Sequence, residues 1–302
     1  MIETYAFGDD KTLVTIDSEN LDNYSSLDET YHIDSEVMTY ALDKNERAHT
    51  EYNSETDTFV VIFNVLNQVK DNNHYETVPI TFIIHKDQLI TIYNKTNNYI
   101  VTKIIAYVQK NTHVSIYKLL FVSLFIISES YFPYIENMER SKDKINHDLR
   151  KKTTKKNLLA LADIETGMVY LVSAANQNNT LLEQLKGQLI YKSFDDVVRE
   201  QLDDSIIEAR QVLSMTQLNA QVLQQMSNTY NNILNNNLND TMTNLTIISI
   251  LLAMLAVITG FFGMNVPLPF TDNKNAWILI IGFSFLIWFI YAIILRIIVR
   301  NK

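Results

Sequence analysis

Two apolar runs near the C-terminal end, 245–262 (LTIISILLAMLAVITGFF) and 276–299 (AWILIIGFSFLIWFIYAIILRIIV), constrain this chain more than any other feature. Each is long enough to cross a bilayer as a helix, which takes about 20 residues. The first has no charged residue and the second only Arg296, close to its end. Between them lies a short polar connection that opens with Gly263-Met264-Asn265. The pattern predicts two membrane helices joined by a tight turn just outside the membrane.

The rest of the chain is of another kind. Removing the two acids (Asp240, Asp272) and four bases (Lys274, Arg296, Arg300, Lys302) that follow residue 211 leaves 32 acids against 21 bases in residues 1–210. So acidic a body argues against general nucleic-acid binding and suits one that meets cations. With no cysteine there is no disulfide framework and no thiolate metal or redox site. The opening MIETYAFGDDKT is acidic and lacks the basic-then-apolar order of a signal peptide, so this body is expected in the cytoplasm. Arg296, Arg300 and Lys302 fit the positive-inside rule and predict a multi-pass protein of the cell membrane with both termini cytoplasmic.

Runs 58–66 (TFVVIFNVL), 77–85 (TVPITFIIH) and 89–94 (LITIYN) are rich in β-branched and aromatic residues and read as strands, with helical stretches before and after. Pro79 predicts a strand start or an edge, since it cannot donate to a ladder. Together these predict a small α/β domain over 1–110. A helical body follows over 111–192. Within it, 117–134 is apolar but interrupted by Glu129 and Pro133, too short to span, and is expected to be buried. The bases Arg150, Lys151, Lys152, Lys155 and Lys156 read as a solvated helix face and turn.

No glycine stands between Gly187 and Gly260 and no proline between Pro133 and Pro267, so nothing breaks a helix from about Ser193 to Phe262. This predicts a stalk helix over 193–244, a first transmembrane helix over 245–262, an external loop over 263–275, a second transmembrane helix over 276–299 and a basic tail over 300–302. Asp195, Asp196, Glu200, Asp203, Asp204 and Glu208 form an acidic patch low on the stalk, which Arg199 and Arg210 are expected to neutralise in part.

Counting back from Gly263 in alternating steps of three and four meets Gly260, Ala256, Ala253, Ser249, Thr246, Met242, Asn239, Asn235, Asn232 and Asn228. All are small or polar except Met242. Small residues alone are explained by close packing of membrane helices. Repeated Asn in phase with them is not, because a packed helical seam is apolar and tolerates only an occasional Asn. Several copies of this stripe around an axis would line a polar conduit. Neutral amide oxygens suit a cation that keeps its water: they accept hydrogen bonds from the hydration shell without trapping the ion. Met242, with Leu245 three residues on, is the place where rings of apolar side chains would gate by dewetting.

Gly263-Met264-Asn265 at the outer end of the first of two C-terminal runs, with 235–239 (NNNLN) and 245–248 (LTII) upstream, resembles the CorA-type divalent-cation channels, and more loosely so does the whole chain. The resemblance implies an α/β cytoplasmic domain, long stalk helices and two C-terminal transmembrane helices in a funnel-shaped homopentamer. It implies Mg²⁺ as the ion, with Co²⁺ or Ni²⁺ alongside, and a selectivity filter at Gly263, Met264 and Asn265. There Asn265 would meet the hydrated ion, Gly263 would let the backbone leave helical geometry, and Met264 would pack against a neighbour. It also implies that Mg²⁺ held by acids between subunits shuts the pore, with Asp203 and Asp204 as candidates. The loop departs from the family's habit of an early acid after the signature: here the acid, Asp272, comes late and close to Lys274.

Other functions find little support. The six glycines form no phosphate-cradling loop and the six histidines no HExxH pairing, so neither an enzyme nor a nucleotide partner is expected. The expected function is passive influx, because a divalent ion gains about 4.6 kcal/mol per 100 mV of inside-negative potential. A Zn²⁺ carrier of the related branch is the alternative, against which Met264 speaks. A non-transporting membrane-anchored sensor would leave the polar stripe unexplained. The expected partners are bilayer lipid and further copies of the chain, with no nucleic acid.

Overall fold

The computed structural model describes residues 2–8, 10–20, 31, 33–54, 56–264 and 275–300, with the side chains of all of these except 189, 190, 276 and 298–300. The chain divides into two units, residues 1–228 and 229–302.

In the first unit, β1 (Ile2–Phe7), β2 (Lys11–Asp17), β3 (His49–Asn53), β4 (Thr58–Leu66), β5 (Thr77–His85) and β6 (Gln88–Tyr93) form a sheet of order β1-β2-β6-β5-β4-β3. Every pairing is antiparallel except β2 with β6. The helices are α1 (Ser35–Leu42), α2 (Asn98–Lys110), α3 (Ile116–Glu129), α4 (Phe132–Lys151), α5 (Lys155–Gly187), α6 (Asp196–Phe262) and, in the second unit, α7 (Ala276–Arg300). The stretch before Thr58 is thus largely strand, where the sequence predicts helix. β1 is an edge strand with half its residues facing solvent, so it carries Glu3 and Thr4 and lacks the apolar run that marks a central strand.

Alternation along the strands sends side chains to both faces of the sheet. Val14, Ile16, Val60, Ile62, Ile83, Ile90 and Ile92 cluster with Ile33, Val37 and Met38 around α1. The alternate residues Leu13, Val61, Phe63, Phe82 and Leu89 are as deeply buried, and α2, α3 and α5 also meet the sheet. Coverage of both faces is why all nine residues of β4 are buried. The apolar stretch 117–134 lies largely in α3, where nine residues are buried in the protein.

Pro79 lies inside the sheet, in β5 between β6 and β4, and not at an edge. It is tolerated because it is only the third residue of its strand and β6 reaches β5 only from Thr81 onward. Its carbonyl accepts a hydrogen bond from the buried Asn97 side chain at 2.9 Å. Opposite it, Asn64 stands beyond the last residue that β3 covers, Ile62. There the Asn178 amide of α5 takes the place of a strand: its Oδ1 accepts from the Asn64 N–H at 2.9 Å and its Nδ2 donates to the Asn64 carbonyl at 2.8 Å. The Tyr131 hydroxyl, on a fully buried ring, donates to the same carbonyl at 2.9 Å.

α6 begins at Asp196, three residues later than the expected Ser193, because the Asp195 carboxylate accepts from the Val198 N–H at 2.8 Å and caps it. Phe194, just before the cap, packs on Phe121 and Tyr117. α5 runs antiparallel to the first part of α6: Lys186 pairs with Asp203 at 2.7 Å and Glu183 with Arg210 at 2.9 Å.

By length and composition, four helical stretches among the described residues could cross a membrane. The most apolar window of Ile116–Lys151 is 61% buried within the protein and that of Lys155–Gly187 33%, whereas none is buried in the windows of α6 and α7.

Asn178 is expected to be worth more than an average polar contact, since its loss orphans a buried backbone N–H. Asn178→Leu should cost about 1–3 kcal/mol, read as a lowered thermal or urea midpoint of the purified protein by circular dichroism. An unchanged midpoint would show that the end of β4 is satisfied in another way.

Candidate ion-conduction site

The stripe read from the sequence lies along α6. At 100° per residue, Thr246, Ser249, Ala253, Ala256 and Gly260 fall on one side of the helix. All five are exposed, as are Asn228, Asn232, Asn235, Asn239 and Met242 before them and Gly263 after. The half-covered residues Ile247, Leu251, Met254, Leu255, Ile258 and Phe262 fall on the opposite side. The stripe lies on the side this chain leaves uncovered, flanked there by the exposed apolar side chains of Leu245, Ile248, Leu252 and Val257.

The face is built of acceptors. Thr246 Oγ1 donates to the Met242 carbonyl and Ser249 Oγ to the Leu245 carbonyl, each at 2.8 Å, one helical turn back. Their hydrogens being so used, both oxygens present only lone pairs outward. The side chains of Asn228, Asn232, Asn235 and Asn239 make no hydrogen bond with other described residues and are free to offer amide oxygens. A hydrated cation turns water hydrogens outward, so a row of neutral acceptors is the complement of its hydration shell. No carboxylate lies on the stripe to hold the ion fast.

At the outer end of α6, Gly263 donates its N–H to the Thr259 carbonyl at 3.0 Å and Met264 to the Phe261 carbonyl at 3.4 Å. Gly263 is not in the left-handed region. A Cβ there would stand 3.2 Å from the Thr259 carbonyl oxygen, so glycine serves close approach to a helix end and not an unusual φ. Met264 is 53% exposed and meets little of its own chain. Asn265 and the loop as far as Lys274 lie outside the described residues. Met242 and Leu245, the gate candidates, are 59% and 64% exposed.

In the first unit the acidic patch is more committed than its sequence suggests. Asp203 is held by Lys186, and the hydrogen bond and charge of Asp203 raise the Lys186 ammonium above its ordinary pKa. Arg210 turns away from the patch to Glu183, whose carboxyl it holds below the usual range through a hydrogen bond, with Asn179 adding another. Arg199 does reach the patch, meeting Asp196 at 3.5 Å. Asp204 is exposed. Glu208 is raised, first by burial and then by the charge of Glu129. Among the described residues no three His, Asp or Glu side chains stand together as a metal-ligand set. No local spacing marks the Lys186–Asp203 pair, which joins residues 17 apart through the turn between α5 and α6.

No curated protein sequence matches the chain. Among solved structures, the complete CorA magnesium transporter of Methanocaldococcus jannaschii is similar at 20% identity, over 95% of this chain and 90% of that one, with a TM-score of 0.79. The full-length CmaX protein matches at 14% identity over 95% and 88%, with a TM-score of 0.62. The ZntB cytoplasmic domain of Vibrio parahaemolyticus RIMD 2210633 matches at 9% identity over 76% and 89%, with a TM-score of 0.60. At these identities the likeness shows the fold alone. The model of the family described as CorA-like Mg²⁺ transporter protein, however, matches residues 12–296. The chain therefore belongs to the CorA-like Mg²⁺ transporters, a membrane family that moves divalent cations.

Proposed function

We propose that this protein is a passive, potential-driven influx channel for hydrated Mg²⁺, formed by several copies of the chain with the polar face of α6 turned inward. The observation that carries the reading is the exposed run of hydroxyl and small residues from Thr246 to Gly260, opposite the half-covered face of the same helix and in phase with the exposed Asn228, Asn232, Asn235 and Asn239 before it. Of the four apolar helical stretches, α6 and α7 are taken as the two membrane spans. Their windows are 0% buried within the protein, whereas the other two are partly buried in the first unit. Both termini then lie on the cytoplasmic side, in keeping with Arg296 near the end of α7. A pentamer follows from the family resemblance, as does Asn265 as the outer filter.

Conduction on this reading needs little dehydration. Amide, hydroxyl and small residues accept hydrogen bonds from the ion's waters, and the membrane potential supplies the drive. Met242 is the large apolar residue on the stripe and would form the constriction, with Leu245 beside it. Internal Mg²⁺ would close the pore by bridging copies through acids of the first unit. Asp204 is open for that role, while Asp203 must first leave Lys186.

Asn265→Ala, in a protein that still assembles, should lower Mg²⁺ uptake into reconstituted vesicles by about tenfold or more, since the ring that meets the hydrated ion is lost. Uptake at the wild-type rate would remove Asn265 from the filter. Met242→Ala should raise resting leak about severalfold by widening and wetting the constriction. Unchanged leak in the same vesicles would move the gate to Leu245.

A further inference from the structure

The turn between α4 and α5 holds Arg150, Lys151, Lys152, Lys155 and Lys156, five bases within seven residues, and no acid separates Asp148 from Asp163. All five are exposed. Among the described residues the ion pairs of the helical body use Lys142, Lys186, Arg199 and Arg210, and none uses a base of the turn. In a chain of net charge −9, five like charges are thus gathered in one place without ion-pair partners among the described residues.

Their position within the first unit is fixed by its contacts. α5 is antiparallel to the first part of α6, through Lys186 with Asp203 and Glu183 with Arg210. α4 packs on α5, and its Glu139 and Lys142 both bond to the Asn219 side chain of α6, at 2.8 and 3.5 Å. From Lys142, level with Asn219, to Lys151 is nine residues of α4, about 14 Å, the same rise as the stretch of α6 from Asn219 to Asn228, where the first unit ends. The basic turn therefore stands at the end of this unit where the chain leaves it for the apolar run. α6 itself has no lysine or arginine after Arg210, so the chain before the first span lacks the bases that usually mark a cytoplasmic flank.

We propose that the α4–α5 turn is a docking surface for the anionic phosphate headgroups of the bilayer in which the protein sits, supplying from elsewhere in the fold the positive charge that α6 lacks. Clustered bases beside a membrane gather anionic lipid, and the attraction decays within a Debye length. The inference rests on membrane embedding and not on which ion is conducted.

The chain has no cysteine, so a single probe site is available. Thr153→Cys in the full chain, labelled with a fluorophore and reconstituted in vesicles, reports headgroup contact through quenching by lipids spin-labelled at the headgroup. With equal quencher in both, quenching should be about threefold stronger in vesicles containing phosphatidylglycerol than in pure phosphatidylcholine. It should fall to the neutral-vesicle level when Lys151, Lys152, Lys155 and Lys156 are all changed to Gln, or when salt is raised. These side chains are exposed, so the variant should keep the wild-type circular dichroism. Equal quenching in the two vesicle types, or anionic-vesicle quenching that survives the four Gln substitutions, would overturn the proposal and point to a neighbouring copy as the partner. Mg²⁺ flux is not read, so failure here leaves the pore reading standing.

Discussion

Hydrocarbon offers no hydrogen bond to a peptide group, and that constraint governs the design of this protein. A backbone that crosses lipid must satisfy itself, and on the proposed reading α6 and α7 would do so as helices with no internal proline. Polar side chains in such a helix then need either a partner or water. Thr246 and Ser249 use the carbonyls of the preceding turn for their hydrogens, which leaves their oxygens as acceptors facing out. On the proposed reading, water and further copies of the same face would satisfy what neither its own chain nor lipid can.

The first unit solves the same problem differently. Its sheet is covered on both faces, so strand ends that run past their neighbours leave backbone groups with no water to meet. Asn178 and Asn97 supply the missing bonds to Asn64 and Pro79. These amides connect positions 114 and 18 residues apart, tying α5 and the start of α2 to the sheet.

What could be read in the sequence was what leaves a local pattern. β4, β5 and β6 stood out because strands covered on both faces are continuous apolar runs, and the stripe on α6 because helical spacing is periodic. β1 was not legible, since an edge strand with Glu3 and Thr4 looks like a polar segment. Nor was the depth of Pro79, which depends on where β6 stops. The pairing of Asp203 with Lys186, and of Arg210 with Glu183, depends on how α5 and α6 fold back on each other, and no spacing within either helix encodes it.

The absence of cysteine permits a direct measurement of the central claim, that the polar face of α6 lines the path of the ion. Single cysteines placed in turn at Thr246, Ser249, Ala253 and Ala256, and at Ile247, Leu251 and Ile258 on the covered face, would be treated with a small water-soluble thiol reagent during Mg²⁺ uptake into vesicles. Block confined to the first set, repeating with the three-and-four spacing of the stripe, is the expected result. Block at the covered face, or block without regard to position, would contradict the account.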